Sequence, residues 1–369
     1  MLRLRHVAGH KPVKTRRAIK ILLALAVLLP LGLGLAGFAG PVPRHDGRPT
    51  GHFDGERFFN TPRFEKRFDD FLRWQLNRDR GSWDTDPGPA PAPPVLAPAP
   101  PGTTRVTWVN HATVLIQAGP VNLLTDPIWS ERASPLTWAG PERHLAPGIP
   151  FAALPRIDAV LVSHNHFDHM DLATLERLLE RDRPRFLVPL GNCVYLEDFA
   201  GDLCEEMDWW ESRSLGKGLS VTAVPARHWS RRGLFDTNRA LWAGWVVEGS
   251  LRVYFAGDTG LGDHFAEIRS RTGRPDLAIL PIGAYLPRWF MKDQHLSPAD
   301  AVEAARTLGA ARAMAVHHGT FELADDGQWE ALETLRGELG AQPDRAEHFW
   351  LPAHGDTRQW PADDRVAGR

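Results

Sequence analysis

One nine-residue segment, Ser163–Asp171 (SHNHFDHMD), constrains the fold of this chain more than any other feature. Its central six residues, His164 to His169, contain three histidines and one aspartate, and they directly follow the apolar run Asp158–Val162, which is predicted as a strand. Side chains on a loop that leaves a strand can converge, and neutral imidazole and carboxylate suit zinc or a comparable divalent ion. A lone histidine is usually structural, but a cluster this dense predicts a metal site.

The number of ligands in this segment suggests two metals. Four ligands so close together would be strained around one tetrahedral ion and divide more naturally between two. Three further positions, each just beyond a predicted strand, could complete the set: His228, Asp258, and either His317 or His318. Each is weak alone, because an aspartate in a Gly-Asp-x-Gly turn is more often a turn former and either histidine could cap its strand.

The rest of the body alternates short apolar runs with helical patterns. The predicted strands are Arg105–Trp108, Thr113–Gln117, Asn122–Thr125, Ala159–Val162, Arg185–Val188, Ser220–Val224, Ala243–Val247, Arg252–Ala256, Ala278–Pro281 and Ala313–Val316. The predicted helices are Leu172–Arg181, Asp263–Arg271, Pro298–Leu308 and Trp329–Leu339. This alternation indicates a layered α/β fold, and 369 residues favour one large domain with additions.

The N-terminus predicts an encounter with a membrane. Residues 1–20 carry seven Lys or Arg and no acid, and Ile21–Gly40 is uncharged and long enough to span about 30 Å of hydrocarbon as a helix. By the positive-inside rule, the N-terminus is expected to stay in the cytoplasm. The body is then expected to be exported across the cytoplasmic membrane or to remain associated with it. Residues 1–40 are therefore a basic region plus a signal or anchor, and cleavage stays open.

Residues 41–103 are predicted to form an N-terminal arm. Two aromatic-rich segments, His52–Asn60 and Arg63–Trp74, should pack on the body. The second is interpreted as an amphipathic helix with Phe64, Phe68, Phe71 and Leu72 at helical spacing. Pro87–Pro101 has eight prolines in fifteen residues, which favours an extended tether. The alternative is a flexible stalk next to the membrane.

Charge and cysteine content exclude some classes. The formal net charge is −2, and removing the seven bases of residues 1–20 leaves −9 on the remainder, which argues against nucleic acid as a partner. Two cysteines, Cys193 and Cys204, are too few for a disulfide scaffold or a Cys-rich zinc module. They could pair in an oxidising compartment or remain buried thiols.

Together, these motifs resemble a known family. HxHxDH after a strand, followed by single His, Asp and His residues at strand ends, resembles the metallo-β-lactamase superfamily. Longer segments resemble N-acyl-phosphatidylethanolamine-hydrolysing phospholipase D from about Thr104 to His354. They are Asn110–Ile116, Leu124–Ile128, Arg132–Pro135, Ser163–His169, Asp208–Glu211, Pro281–Tyr285, Pro287–Met291 and His318–Phe321.

The resemblance implies a fold and a set of site residues. The fold would be the α/β, αβ/βα four-layer arrangement of two mixed sheets between helices, over residues 104–369. One zinc would be held by His164, His166 and His228, the other by Asp168, His169 and His317, with Asp258 bridging. His317 is preferred to His318, although the family has an aromatic residue where this chain has His318, which leaves the choice open.

Further roles follow from the same resemblance. His295 matches a position near the substrate phosphate, so Asp168, Asp258 and His295 are the candidate catalytic residues. Arg288 and Tyr285 are the other candidate substrate contacts, although Arg288 could equally form a structural ion pair. Asp171 is expected to orient ligand imidazoles from outside the metal shell.

The implied reaction is phospholipase D-type hydrolysis of N-acyl-phosphatidylethanolamine or a related phospholipid to phosphatidic acid and an N-acylethanolamine. Two Zn²⁺ ions, or other divalent metals, would neutralise the phosphodiester and supply a bridging hydroxide. The expected partners are a phospholipid substrate and a membrane, and the family suggests a homodimer. The alternatives are a lactonase or amide hydrolase on the same fold, and a non-catalytic metal-binding protein at the membrane.

Overall fold

The computed structural model describes residues 40–64, 67–84 and 96–361. The apolar segment Ile21–Gly40, except its last residue, and residues 87–95 of the proline-rich segment lie outside the described residues. No helix within the described ranges has the length and apolar character needed to cross a bilayer.

The first sheet has seven strands. They are β1 (Thr103–Asn110), β2 (Thr113–Ala118), β3 (Val121–Thr125), β4 (Ala159–Leu161), β5 (Arg185–Pro189), β6 (Cys204–Met207) and β14 (Thr357–Pro361). Their order is β14-β1-β2-β3-β4-β5-β6. The pairings from β14 to β3 are antiparallel, and those from β3 to β6 are parallel.

The second sheet repeats this mixed pattern. Its strands are β7 (Ser212–Gly216), β8 (Leu219–Val224), β9 (Gly244–Glu248), β10 (Arg252–Phe255), β11 (Leu277–Pro281), β12 (Arg312–Val316) and β13 (Phe349–Trp350). Their order is β13-β12-β11-β10-β9-β8-β7. The pairings from β13 to β10 are parallel and the rest are antiparallel, so each sheet contributes parallel strand ends to one edge.

The described part of the chain contains eight α-helices. They are α1 (Phe68–Leu76), α2 (Leu172–Asp182), α3 (Glu197–Ala200), α4 (His264–Thr272), α5 (Arg288–Met291), α6 (Pro298–Leu308), α7 (Glu330–Gly340) and α8 (Pro343–Ala346). Helix α6 begins with a capping box, in which Ser297 Oγ accepts a hydrogen bond from Asp300 N. It ends at Gly309, whose φ of 63° lies in the left-handed region that glycine tolerates best.

Three apolar clusters define the layers. One lies between the sheets and includes Trp108, Trp245 and Phe255. A second joins the outer face of the first sheet to α2 through Leu175, and a third joins the second sheet to α4, α6 and α7. The predicted four-layer fold is therefore confirmed, with helix, sheet, sheet and helix in succession.

The body's predicted elements are all present. The ten strands and four helices proposed from the sequence appear with ends within two residues of those predicted. Four strands were missed: Cys204–Met207, Ser212–Gly216, Phe349–Trp350 and Thr357–Pro361. These strands are short or polar and lie at or next to the sheet edges, so they lack the apolar run on which the prediction relied.

The arm's helix buries a different face from the one predicted. Helix α1 begins at Phe68, and Phe68, Phe71 and Leu72 are exposed, so the predicted packing of that face is wrong. Trp74 is the buried residue of α1. Farther towards the N-terminus, Phe53 and Phe58 are buried against Trp242 and Leu241 of the body, as an arm that packs through its aromatic residues requires.

Cys193 and Cys204 form a disulfide, with their Cα atoms 5.8 Å apart. The bond ties the start of a short helical turn to the first residue of β6. It closes a short loop, since the two residues are 11 positions apart in sequence.

We expect the double variant Cys193→Ser/Cys204→Ser to lose about 2–3 kcal/mol of unfolding free energy, because a disulfide restricts the unfolded chain. Denaturant unfolding of the oxidised protein and the variant measures this loss. Reductant should lower the stability of the wild type by a similar amount and leave the variant unchanged. Free thiols on both cysteines of the unreduced, denatured protein would contradict the pairing.

Candidate metal centre

The candidate ligands meet at the edge where the parallel strands of both sheets end. The histidine-rich loop follows β4, while Asp258 follows β10 and His317 follows β12. His228 comes shortly after β8. The carboxyl ends of parallel strands gather at one edge of a sheet, which is why four separate parts of the sequence supply one cluster.

Three imidazoles form the first ligand group. Nδ1 of His166 lies 2.8 Å from Nε2 of His164 and 3.2 Å from Nε2 of His228. His164 and His228 are buried, and Nε2 of His166 is a buried atom with no hydrogen-bond partner among the described residues. Three ring nitrogens that converge in this way present lone pairs towards one point, which suits a metal ion.

The second ligand group combines a carboxylate with two imidazoles. Nε2 of His169 lies 3.2 Å from Oδ2 of Asp168 and 3.2 Å from Nε2 of His317. Asp258 faces both groups: its Oδ1 is 3.1 Å from Nε2 of His317, and its Oδ2 is 3.3 Å from Nε2 of His169 and 3.9 Å from Nε2 of His228. Asp258 therefore lies between the two groups, as a bridging ligand would.

The electrostatics of the cluster fit metal ligation. Burial lowers the pKa of His166 to about 4 and that of His228 to about 3, so both imidazoles are neutral donors at neutral pH. Burial also disfavours charge on His317, but Asp258 and Asp168 outweigh it and raise its pKa to about 9. Carboxylates that attract a cation this strongly accommodate a metal ion in place of the proton.

Asp126 and Ser163 hold one ligand from each group. Asp126 Oδ2 accepts hydrogen bonds from Nδ1 of His169 at 2.7 Å and from Oγ of Ser163 at 2.6 Å. Oγ of Ser163 lies 2.9 Å from Nδ1 of His164. These contacts orient the ligand rings so that Nε2 of each faces the cluster. Asp126 lies in a segment that resembles the family, but sequence reasoning gave it no role.

The contacts of two further residues, His111 and Asp171, revise the predicted surroundings of the ligands. Nε2 of His111, which sequence reasoning also left without a role, lies 2.9 Å from Oδ2 of Asp168. Asp171 does not orient an imidazole as predicted: its carboxylate accepts hydrogen bonds from Ser130 N and Oγ and from Thr174 Oγ1. Asp171 instead fixes the loop after β3 to the start of α2.

The N-terminal arm also reaches the site. The side chain of Asn60, which is buried, donates from Nδ2 to the carbonyl of His228 at 2.7 Å and accepts from His228 N at 3.1 Å. Nδ1 of His228 donates to the carbonyl of Gln294 at 2.9 Å. Asn60 thus fixes the backbone of a ligand 168 positions away, and Gln294 fixes its tautomer.

The three predicted substrate contacts lie in different places relative to the ligand cluster. His295 is beside the cluster, with Nδ1 3.7 Å from Oδ2 of Asp258. Arg288 forms an ion pair with Asp300 at 2.7 Å and donates to the carbonyl of His295 at 3.0 Å. The hydroxyl of Tyr285 lies 3.4 Å from Oγ1 of Thr334 in α7. Of the three, the structure brings only His295 to the ligand cluster.

The open choice between His317 and His318 has a clear geometric answer. His317 has a φ of 61°, in the left-handed region, and its ring lies within the ligand cluster. The ring of His318 packs against Trp108, with centroids 4.8 Å apart. His317 is therefore the one of the pair in position to bind a metal.

Comparison with known proteins agrees with the fold. Residues 121–318 match the family profile described as Beta-lactamase superfamily domain. The Caenorhabditis elegans protein N-acyl-phosphatidylethanolamine-hydrolyzing phospholipase D 1 is 36% identical over 272 residues, which cover 70% of this chain and 76% of that protein. A mitochondrial protein with this activity in its name, from Saccharomyces cerevisiae, is 35% identical over 68% of this chain and 55% of its own length.

Among solved structures, an isothiocyanate hydrolase from Delia radicum gut bacteria has a TM-score of 0.55 at 18% identity, and the match covers 70% of this chain and 99% of that one. This likeness concerns the fold alone. The fold and the His/Asp cluster define a metal-dependent hydrolase. The chain belongs to the metallo-β-lactamase superfamily and, within it, to the family of N-acyl-phosphatidylethanolamine-hydrolysing phospholipase D.

We expect Asn60→Ala to lower metal affinity by about 10- to 100-fold, because a partner that positions a ligand typically contributes this much. Competition with a chromophoric chelator measures the effect. Asn192→Ala is the matched control, since Asn192 is also buried and its side chain also makes two hydrogen bonds to the backbone, in this case to the carbonyls of Pro189 and Leu241. Equal metal affinity in the two variants would contradict a positioning role for Asn60.

Proposed function

We propose that this enzyme is a two-zinc phosphodiesterase of the phospholipase D type. Its substrate would be N-acyl-phosphatidylethanolamine or a related phospholipid, and its products phosphatidic acid and an N-acylethanolamine. The observation that carries the proposal is the pair of ligand groups that share Asp258, in a chain whose relatives are named for this reaction. A homodimer is part of the same proposal, by analogy with the family.

The donor set explains why a phosphodiester suits the site. Two bound metals would neutralise the phosphate charge and activate water at neutral pH. His164, His166 and His228 would hold one, and Asp168, His169 and His317 the other. Asp258 would hold the spacing between them, while Asp126 and Ser163 keep the rings aligned.

His295 is the residue best placed to contact the substrate phosphate. It lies beside Asp258, and its backbone is held by two contacts: Arg288 donates to its carbonyl, and its N–H donates to the carbonyl of Met291. From this position His295 would donate a hydrogen bond to a phosphate oxygen. Arg288 would then serve the reaction by orienting His295, with its own charge balanced by Asp300.

Access to lipid would come through helix α1 and its neighbour Trp289. Phe68 is 73% exposed and Leu76 is 82% exposed, and Phe71, Leu72 and Trp289 are also exposed. The guanidinium of Arg73 lies 4.8 Å from the centre of the Trp289 ring. An exposed apolar group that includes tryptophan and arginine suits the headgroup region of a bilayer.

The body would act outside the cytoplasm. Two independent observations support this proposal: the basic leader followed by an apolar segment, and the disulfide between Cys193 and Cys204. Disulfides persist in oxidising compartments such as the periplasm and are rare in the cytosol. Whether residues 21–40 stay attached as an anchor does not alter this placement.

Purified residues 41–369 should release phosphatidic acid from N-acyl-phosphatidylethanolamine, and chelator should abolish the release. His166→Ala should lose activity by a factor of about a thousand or more, because it removes one of the three imidazoles of the first ligand group. His45→Ala, which changes a half-buried histidine that belongs to neither ligand group, is the control. Mass spectrometry of the lipid products measures all arms. No release from any phospholipid by protein with two metals bound would reject the proposed reaction in favour of lactones or amides.

The role of α1 is tested separately with Phe68→Ser/Leu76→Ser. We expect activity on substrate in vesicles to fall about tenfold or more, because each side chain contributes about 1.5–3 kcal/mol when it leaves water. Activity on detergent-dispersed substrate should be unchanged. Val42→Ser, at another exposed apolar position, is the control. Equal losses on both substrate forms would contradict a membrane contact at α1.

A further inference from the structure

A cavity lies at the edge of the second sheet opposite the metal ligands. This cavity of about 230 Å³ is bordered by the beginnings of β12 and β13, the loop before β11 and the C-terminal part of α6. His317 follows the far end of β12, so five residues of strand, about 16 Å, separate the cavity from the ligand cluster. The cavity therefore belongs to neither the ligands nor the residues proposed to contact the substrate.

Basic side chains surround this cavity. Arg274, Arg306 and Arg345 border it together with His348. Arg312 also borders it, but its guanidinium lies 5.9 Å from the centre of the Trp360 ring, and we give it no part in the site. Because the chain beyond residue 20 carries a net charge of −9, a local group of arginines is not a consequence of a generally basic surface.

Structural contacts account for only part of this positive charge. Arg306 forms a bidentate ion pair with Glu303. Arg274 uses Nε to donate to the carbonyl of Gly309 at 2.9 Å, which caps the end of α6. For Arg274 and Arg345, no carboxylate lies within 4.0 Å in the described part of the chain. Two guanidinium groups at the cavity thus keep terminal N–H donors for a ligand.

The other walls leave room for a small ligand. They are formed mainly by small residues, Ala305, Gly309, Ala310, Ala311 and Ala313, with Val302 and Phe349. Guanidinium groups bind phosphate through paired N–H donors, and such charge-assisted hydrogen bonds are stronger than neutral ones. A phosphomonoester, with two charges near neutral pH, matches two guanidiniums that lack a directly bonded carboxylate better than a singly charged diester. Glu303, which is bonded to Arg306, is the acid that also acts on Arg345 electrostatically.

From this arrangement we infer that the cavity bordered by Arg274, Arg345 and His348 is a binding site for a phosphomonoester group. The group can come from a small soluble molecule or from the headgroup of a phosphomonoester lipid, since the same oxygens are recognised in both. The inference does not depend on the proposed phospholipase activity.

Calorimetric titration of the full chain in detergent tests the site with three probes: inorganic phosphate, glycerol 3-phosphate and short-chain phosphatidic acid. Because phosphate also binds metals, the comparison is between variants with equal metal content. The wild type should show one more binding site than Arg274→Gln/Arg345→Gln, or an affinity at that site higher by about tenfold or more. Arg345→Gln alone should weaken binding too, and this side chain has no described hydrogen bond whose loss could affect folding.

The control, Arg48→Gln/Arg183→Gln, removes the same charge from two exposed positions. Binding of glycerol 3-phosphate that requires Arg274 and Arg345 supports a site for soluble phosphomonoesters, and binding of phosphatidic acid alone supports a lipid headgroup site. Short-chain phosphatidylcholine should not bind there. If the two double variants bind all three probes equally, the inference is wrong, whatever the enzyme's activity on phospholipids.

Discussion

Three buried carboxylates, Asp126, Asp168 and Asp258, lie among imidazoles at the shared edge of the two sheets. A buried anion costs several kcal/mol unless it is paired, so each of these groups requires a positive partner. They come from the ends of β3, β4 and β10, which belong to both sheets. The partners they share therefore connect the sheets, and displacing one sheet relative to the other would expose or unpair the charges.

This constraint explains which parts of the site could be predicted from the sequence. His164, His166, Asp168 and His169 are neighbours in the chain, so their density alone indicates a metal site. The remaining ligands each follow a strand, and the strands were predictable from their apolar runs. The structure's four additional strands were not: SRSLG, CEEM and TRQWP have little apolar character, and Phe349–Trp350 is only two residues long.

The residues that position the ligands could not be found in the same way. Asn60 meets His228 across 168 positions, and Asp126 meets His169 across 43. Nothing in the local sequence distinguishes such an asparagine or aspartate from a turn former. The wrong prediction for the apolar face of α1 has a related cause. Hydrophobic periodicity identifies an apolar face, but it does not say whether the protein core or another surface covers that face.

The arm connects that exposed face to the metal ligands through a short series of contacts. Trp74 of α1 stacks on Phe290, with ring centroids 4.9 Å apart. The neighbouring residue, Met291, accepts a hydrogen bond from His295 N, and Gln294 accepts one from Nδ1 of His228. The segment that supports α1 thus also supports a ligand and the candidate phosphate contact.

This arrangement bears on where substrate choice resides. The superfamily profile spans residues 121–318, which include every candidate metal ligand, but neither Asn60 nor Trp74. A metal pair fixes the type of bond that can be hydrolysed, while different substrates are served on one fold by what surrounds the metals. The arm lies outside the profile and contacts both a ligand backbone and α5, so it is a part of this chain in which substrate selectivity can differ from that of other superfamily members.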